Sequence, residues 1–313
     1  MHYSDFKLAT TKTLLARAMR GGYAVPAFNF YNLETLSAIL DAANITQSPV
    51  ILAVSETALE YMGDKLLMGM IHGATYKKNQ IALHLDHGHS FEICKHAINL
   101  GFSSVMFDGS TLSLDENIKI SRRVSDYAHK FGVSVETELG VLSGKEDKNT
   151  KSTNPIYTDP NLVKDFVKQT KTDLLAIAIG TSHGAYKRKT NKETLRFDIL
   201  KQIADNIPNI PLVLHGASNI PQKYIKNINK FGGDIKNAFG IPPAQIRKAI
   251  SLHVAKVNVE SDSRLAFTSA VREFLYTKKS DFNPRDYLCN AKNEMTKNCI
   301  NEIQNIMGSG YKI

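Results

Sequence analysis

Short apolar segments alternate with helical segments along almost the whole chain, and this alternation restricts the possible folds most. Eight segments read as strands, at residues 24–30, 50–56, 81–89, 104–110, 134–140, 174–180, 212–218 and 255–261. Strict β-then-α alternation predicts a parallel sheet, and eight units predict a closed (β/α)8 TIM barrel of the α/β class. A doubly wound open sheet is the alternative, but no G-x-G-x-x-G follows the first strand. We expect residues 1–313 to form a single domain with additional C-terminal helices at 264–277 and 285–307.

Two stretches interrupt the alternation. Residues 141–160 are polar and lack any periodicity, and a segment of this kind inside a compact domain predicts a mobile loop at the active site. Residues 232–243 are rich in glycine and proline and read as an insertion before strand eight.

The composition of the chain bears on its location in the cell. The chain has no run of about 18 apolar residues, so we expect no membrane span. Residues 1–13 are polar and resemble neither a signal peptide nor a transit peptide, and three cysteines lack metal-type spacing. These features predict a cytoplasmic protein.

The net charge of +9 has three possible meanings: a nucleic-acid partner, a phosphorylated substrate or a solvated basic surface. No basic stripe interleaved with aromatic residues and no short nucleic-acid motif is found. We therefore expect no nucleic-acid partner and no membrane partner.

Three of the apolar segments are followed by a His-Gly pair. The histidines are His87 in I-A-L-H-L-D-H-G-H, His183 in L-L-A-I-A-I-G-T-S-H-G and His215 in L-V-L-H-G-A-S. A lone histidine at a strand end is more often structural than a ligand. Three of them at the C-terminal side of one barrel favour convergence on a metal, and three imidazoles with an open position are typical of catalytic zinc.

Acidic residues stand at the same strand ends. Asp86 precedes His87, and neighbouring strand residues face opposite sides, so both can serve one site only if the chain turns there, which Gly88 permits. Asp86 is then a candidate general acid/base. Asp108 and Glu138 could bind a second cation or orient the ligand imidazoles. Within its strand, His84 could be a packed residue or could orient a ligand.

Small residues after the histidines predict a phosphate site. Gly184, Gly216, Ala217 and Ser218 would let backbone N–H groups approach an anion, and the last βα loops of such barrels frequently hold phosphate. Lys187 and Arg264 could supply balancing charge. Glu146 lies in the polar segment, where an isolated acid is usually only solvated.

These residues belong to motifs that resemble, along essentially the whole chain, the class II, metal-dependent fructose-bisphosphate aldolases and their relatives acting on tagatose bisphosphate. Seven motifs in the same order carry the resemblance: A-F-N-F (27–30), L-H-L-D-H-G (83–88), S-V-M-F-D (104–108), V-E-T-E-L-G (135–140), G-T-S-H-G-A-Y-K (180–187), V-L-H-G-A-S (213–218) and K-V-N-V-E-S-D-S-R-L-A (256–266). Chance does not produce such a series.

The resemblance implies a role for each matching residue. His87, His183 and His215 would bind Zn²⁺, while Asp108 and Glu138 would be offered to a second divalent cation. The catalytic group would comprise Asp86, exchanging a proton with the substrate's C4 oxygen, Glu146, removing the C3 proton, and Asn258. The substrate would contact Asn29, Ser55, Gly184, Lys187, Gly216, Ala217, Ser218, Asn258, Val259, Glu260, Ser261 and Arg264. Backbone carbonyls near Gly184 and Gly216 would hold Na⁺ or K⁺.

The implied reaction is the reversible retro-aldol cleavage of fructose 1,6-bisphosphate to dihydroxyacetone phosphate and glyceraldehyde 3-phosphate, in glycolysis and gluconeogenesis. Zinc would stabilise the enediolate as a Lewis acid, so no Schiff-base lysine is required. The enzyme would be a carbon-carbon lyase and a homodimer or homotetramer, with the helical tail 285–307 as a candidate interface.

One departure from the family pattern bears on specificity. The strand-eight motif usually reads N-x-D-[ST]-D-L-R, whereas here Glu260 replaces the first aspartate and Ser263 replaces the leucine. Tagatose-bisphosphate enzymes typically carry a small residue at the position of Glu260, so a tagatose 1,6-bisphosphate aldolase is the alternative. The insertion 232–243 and Arg264 favour fructose bisphosphate.

Two other classes of protein remain open. A zinc hydrolase on the same barrel usually has H-x-H near strand one, where this chain has A-V-P-A-F-N-F. A non-catalytic binding protein would have an incomplete site, whereas the sequence contains a complete one.

Overall fold

The computed structural model describes residues 2–74, 80–146, 149–151, 156–184 and 194–313, with only the backbone described for 143, 145, 146 and 149–151. The strands in this part of the chain are β1 (Val25–Asn29), β2 (Val50–Ser55), β3 (Ile81–Gly88), β4 (Ser104–Phe107), β5 (Ser134–Leu139), β6 (Ser143–Glu146), β7 (Asn149–Lys151), β8 (Leu174–Ile177), β9 (Ser182–His183), β10 (Leu212–Leu214) and β11 (Val254–Val259).

Eight of these strands close into a barrel in the order β1, β2, β3, β4, β5, β8, β10, β11 and back to β1. Every neighbouring pair in the barrel is parallel. The predicted (β/α)8 barrel is therefore confirmed, and the open doubly wound sheet is excluded.

Helices follow the strands and cover the barrel: α1 (Thr11–Gly21), α2 (Leu33–Thr46), α3 (Glu56–Met62), α4 (Asp64–Ala74), α5 (Phe91–Leu100), α6 (Leu114–Ala128), α7 (Val163–Thr170), α8 (Phe197–Asn206), α9 (Gln222–Lys230), α10 (Pro243–Ser251), α11 (Ser261–Thr277) and α12 (Pro284–Asn301). Two 3₁₀ turns (Tyr3–Phe6 and His129–Phe131) and a π-helical segment (Glu302–Met307) complete the described elements. None of the described helices has the length and apolar character needed to cross a bilayer.

Alternation along the strands separates two layers. One face of each strand packs under the helices in the main apolar core, which includes Phe28, Leu52, Leu85 and Val257. The opposite face points into the barrel, where a smaller cluster contains residues such as Ala27, Ala82, Ala176 and Val213. The alanines among these residues leave room inside the barrel for longer polar side chains from other strands.

The barrel strands end earlier than the apolar runs suggest. β8 stops at Ile177 rather than at 180, and β10 stops at Leu214 rather than at 218. Residues 178–179 and 215–218, beyond these ends, are still buried and belong to the loops at the barrel mouth, so burial continues after the ladder of hydrogen bonds has stopped. Burial and strand pairing are separate properties, and the sequence pattern reports only burial.

The segment 141–160 contains more regular structure than its composition indicates. β6 pairs antiparallel with β7 and parallel with β9, which together form a small three-stranded sheet. Backbone hydrogen bonds alone build such a sheet, so the segment needs no alternating apolar residues. The mobility of this segment stays a prediction.

The predicted insertion 232–243 follows α9 and ends at the first residue of α10. The backbone N–H of Ile241 donates to the carbonyl of Ser218 at 3.0 Å, so the end of this segment contacts the barrel mouth.

Candidate metal and substrate site

The three predicted histidines converge at the C-terminal mouth of the barrel. His87 is near the end of β3, His215 follows β10 directly, and one ligand nitrogen of each histidine lies within 4.8 Å of the others. His183 reaches the cluster differently from the prediction, because it lies on β9, a separate two-residue strand beyond the end of β8. All three therefore share one site, although only two come directly from barrel strands.

The turn that brings Asp86 and His87 to the same site is made by His87 itself. Its φ is +51°, in the left-handed region that a residue with a side chain rarely adopts. Gly88 is needed for space instead, because a Cβ there would lie 2.7 Å from the carbonyl oxygen of Met106. Backbone strain of this kind is often found at functional sites.

Two carboxylates accept hydrogen bonds from the imidazoles. Nδ1 of His87 lies 3.0 Å from Oδ2 of Asp108, and Nε2 of His215 lies 2.7 Å from Oε1 of Glu136. A carboxylate accepts an N–H, so these bonds assign the proton of each neutral ring to the nitrogen that faces the acid. The other two nitrogens, Nε2 of His87 and Nδ1 of His215, face each other at 2.8 Å.

This arrangement fits a metal. Two imidazole lone pairs that face each other at such a distance repel, and a divalent cation beside them replaces that repulsion with coordination. Burial, followed by the nearby His87 and Lys256, keeps the pKa of His215 well below its ordinary value, which favours the neutral form that ligates metals. His87, Asp108 and Glu138 form a second group whose ligand atoms also lie within 4.8 Å of one another.

Asp86 is held next to this cluster by two amides. The side-chain N–H groups of Asn29 and Asn258 each donate to one of its oxygens at 2.9 Å. Burial acts to raise the pKa of Asp86, but the nearby His87 and His215 outweigh it, so the pKa lies below its ordinary value. Nδ1 of His215 is 3.9 Å from Oδ1 of Asp86, so the carboxylate lies directly beside the histidine cluster.

A cavity opens above these groups. Its walls include the three histidines and Asp86, together with seven of the predicted substrate positions: Asn29, Gly184, Gly216, Ser218, Asn258, Glu260 and Ser261. Gly216 has a φ of +60°, and a Cβ there would lie 2.5 Å from the carbonyl oxygen of Ser182. The loop after β10 therefore packs directly on the β9 segment, and this close approach requires glycine.

The remaining predicted positions are placed elsewhere. Ser55 ends β2, and its hydroxyl oxygen accepts a hydrogen bond from the backbone N–H of Ala58. Ser55 is therefore the N-cap of α3. Ala217 and Val259 are buried in the main apolar core, so their side chains face away from the cavity. Lys187 and the side chain of Glu146 lie outside the described residues.

Arg264 lies at the rim of the mouth and forms a cluster with Glu260 and Tyr31. Its Nη2 is 2.6 Å from Oε1 of Glu260, and its Nε donates to the hydroxyl oxygen of Tyr31 at 2.7 Å. The Tyr31 hydroxyl in turn donates to Oε1 of Glu260 at 2.7 Å, and burial followed by Glu260 raises its pKa well above the ordinary value. Glu260 thus serves as counter-ion to the predicted phosphate-binding arginine.

Two charged residues beneath the histidines, Glu136 and Lys256, were not predicted from the sequence pattern, which also leaves two roles open for His84. All three are fully buried, and Lys256 Nζ donates to Oε2 of Glu136 at 2.7 Å. A signal was available: Glu136 and Lys256 lie two residues before Glu138 and Asn258, so they share the inward face of the strands β5 and β11.

Comparison with known proteins identifies related chains. A sequence model described as "Fructose-bisphosphate aldolase class-II" matches residues 9–311. A fructose-bisphosphate aldolase of Treponema pallidum (strain Nichols) is 46% identical over an alignment of 326 positions, which covers 98% of this chain and 98% of that protein. A plasmid-encoded fructose-bisphosphate aldolase of Cupriavidus necator is 44% identical and covers 91% of this chain and 89% of that protein.

Solved structures agree with these relatives. The YdjI aldolase of Escherichia coli K12 superposes with a TM-score of 0.78 at 29% identity, covering 97% of this chain and 99% of that one. A putative fructose-1,6-bisphosphate aldolase of Coccidioides immitis has a TM-score of 0.79 at 28% identity, with 96% and 97% coverage.

Proposed function

Because the chain belongs to the class II fructose-bisphosphate aldolase family, whose members are metal-dependent lyases, we propose that it cleaves fructose 1,6-bisphosphate reversibly to dihydroxyacetone phosphate and glyceraldehyde 3-phosphate. One observation in the structure supports this most: the nitrogens of His87 and His215 that face each other lie next to Asp86, in one cavity at the barrel mouth. The reaction needs a metal centre and a proton-transfer group side by side, and this cavity contains residues for both.

The metal ligands in this proposal are His87, His183 and His215. Bound Zn²⁺ would supply a Lewis acid at these residues, the chemistry that polarises a carbonyl and stabilises developing negative charge. The chain's own acids keep the ring nitrogens oriented, Asp108 at His87 and Glu136 at His215.

Asp86 takes the proton of the C4 hydroxyl during cleavage and returns it during condensation. The two amides that hold its oxygens fix its position beside the histidine cluster, where a carboxylate can accept a proton from a substrate hydroxyl. Among the described residues, Oδ1 of Asn258 is buried with no hydrogen-bond partner, so it can accept a substrate hydroxyl. We assign Asn258 to the catalytic group for that reason.

Other roles follow the family pattern. Arg264 at the rim, with Lys187, contacts a phosphate, and the backbone around Gly184, Gly216 and Ser218 holds the other. Glu146 removes the carbon-bound proton. Asp108 and Glu138 form the site of a second divalent cation, and the carbonyls near Gly184 and Gly216 hold Na⁺ or K⁺.

The proposal extends to setting and assembly. A glycolytic and gluconeogenic aldolase works in the cytoplasm, where its phosphorylated substrates are found. We propose a homodimer or homotetramer, with the C-terminal helical tail as a candidate contact between subunits.

Steady-state cleavage of fructose 1,6-bisphosphate and tagatose 1,6-bisphosphate tests the function. We expect cleavage that favours the fructose compound, stops in the presence of a chelator and returns when Zn²⁺ is added. His183→Ala should lose both bound zinc and activity, whereas His96→Ala, which changes a surface histidine paired with Asp64, should keep both. A full rate in metal-free protein would contradict the mechanism, and a preference for tagatose bisphosphate would contradict the substrate assignment.

A further inference from the structure

A chain of buried polar side chains runs through the inside of the barrel beneath the metal ligands. It starts at His215, passes to Glu136 on β5 and Lys256 on β11, and continues to His84 on β3. The side chains of Glu136, Lys256 and His84 are all 0% exposed. Buried charges are rare unless they are paired, because their transfer from water is unfavourable.

The donor and acceptor roles along this chain follow from Lys256. An ammonium group has donors only, and Lys256 Nζ contacts Oε2 of Glu136 at 2.7 Å and Nε2 of His84 at 3.2 Å. Nε2 of His84 must therefore accept. Burial, followed by Lys256, lowers the pKa of His84 well below its ordinary value, in agreement with a neutral ring.

The donor and acceptor roles are also determined at the end of the hydrogen-bond chain that is farthest from His215. Because Nε2 of His84 accepts, Nδ1 carries the proton and donates to the hydroxyl oxygen of Ser104 at 2.8 Å. The Ser104 hydroxyl lies 2.8 Å from that of Thr11, at the start of α1. Both ring nitrogens of His84 thus have a hydrogen-bond partner, and the ring cannot rotate without breaking one of these bonds.

At the near end, the carboxylate of Glu136 connects the cation to the metal ligand. Oε2 faces Lys256 and Oε1 accepts from Nε2 of His215 at 2.7 Å. His215 then has its proton on Nε2 and its lone pair on Nδ1, the nitrogen that faces His87. Exchange of the two nitrogens would place a lone pair against a carboxylate.

We propose that Glu136 and Lys256 are positioning residues for the metal centre, with Glu136 fixing the tautomer and ring orientation of His215 and Lys256 holding Glu136 in place as its counter-ion. The inference rests on the metal-dependent function proposed above. It predicts that these two residues set metal affinity although neither touches the metal or the substrate.

Zinc affinity, measured by competition with a fluorescent chelator, tests this role. We expect Glu136→Gln to weaken zinc binding about 10- to 100-fold, the usual effect of removing a carboxylate that supports a ligating histidine. Lys256→Met should weaken it in the same direction, and the double variant should lose no more than Glu136→Gln alone if Lys256 acts through Glu136. Glu302→Gln, which changes another fully buried glutamate away from the histidines, is the matched control and should bind zinc like the parent.

A second measurement needs no variant. Long-range ¹H–¹⁵N spectra of the zinc-loaded parent protein report which ring nitrogen of His215 carries the proton, and we expect Nε2. A proton on Nδ1, or parental zinc affinity in folded Glu136→Gln, would overturn the inference. Loss of stability in both variants with unchanged affinity would show a purely structural role and would overturn it as well. If the parent binds no zinc and cleaves no sugar bisphosphate, the proposed function itself fails, and this outcome is distinct from the others.

Discussion

Two carboxylate–cation pairs at or beside strand β11 have nearly the same length but opposite exposure to water. Lys256 and Glu136 are 2.7 Å apart inside the barrel and both are 0% exposed. Arg264 and Glu260 are 2.6 Å apart at the rim, with side chains 51% and 32% exposed. The distance between the two charged groups therefore does not by itself indicate the role of an ion pair.

The two ion pairs differ in their exposure to water. In the barrel interior, each charge of the Lys256–Glu136 pair depends on the other, since no water can replace a lost partner. At the rim, water and salt screen the Arg264–Glu260 pair, so the arginine can change partners at small cost. The buried pair is suited to holding a fixed geometry, and the rim pair is suited to releasing a cation to an incoming phosphate.

Breaking the buried pair should have the largest effect. We expect Lys256→Met to lower the free energy of unfolding by about 3–5 kcal/mol, because it leaves the Glu136 carboxylate buried without its counter-ion. Denaturant unfolding measures this loss. Replacing both partners, as in Glu136→Gln with Lys256→Met, should recover part of it, and a single variant as stable as the parent would contradict the comparison.

Asp86 is intermediate between the buried pair and the rim pair, because it is a buried carboxylate held by amides rather than by a cation. Asp86→Asn keeps the shape of the side chain and removes the group to which we assign proton transfer, so kcat should fall about 10²- to 10⁴-fold. Zinc content should stay that of the parent, since Asp86 is not one of the proposed ligands. A variant that loses its zinc together with its activity would show that Asp86 supports the metal instead.

At the rim, the effect should appear in substrate use rather than in stability. Arg264→Met removes the charged hydrogen bond that we propose Arg264 donates to phosphate, worth about 1.5–3 kcal/mol, so kcat/KM should fall about 10- to 150-fold, mainly through a higher KM. Arg247→Met, at an arginine that contacts the carbonyl of Asn305, is the control. Equal kinetics in the Arg264 variant and the parent would remove Arg264 from the phosphate site.

The smallest effect should come from the counter-ion at the rim. Glu260→Gln should change the free energy of unfolding by less than about 1 kcal/mol, as is usual for exposed pairs. The change should vanish in about 1 M NaCl, where the Debye length is about 3 Å, whereas the loss in Lys256→Met should persist. Unfolding curves at low and high salt for both variants make this test, and equal salt dependence would remove the distinction between the pairs.

Several site residues could be predicted because each belongs to a recognisable local sequence pattern. His87, His183 and His215 each follow an apolar run and precede glycine, and the barrel predicted from alternation puts such positions at one mouth. Asp86 is next to His87 in sequence, so its place at the site required only a turn. The backbone of His87, not Gly88, makes that turn, which a residue type alone does not indicate.

The sequence by itself determined the barrel, its eight strands and the set of histidines, because strand and helix periods and the residues at strand ends are local properties. Only the tertiary structure decided how Glu136, Lys256 and His84 meet. Glu136 is 79 residues from His215 and 120 from Lys256, and Lys256 is 172 from His84. Periodicity shows that each side chain points inward, but only the closure of the barrel, with its stagger between strands, sets which of them touch.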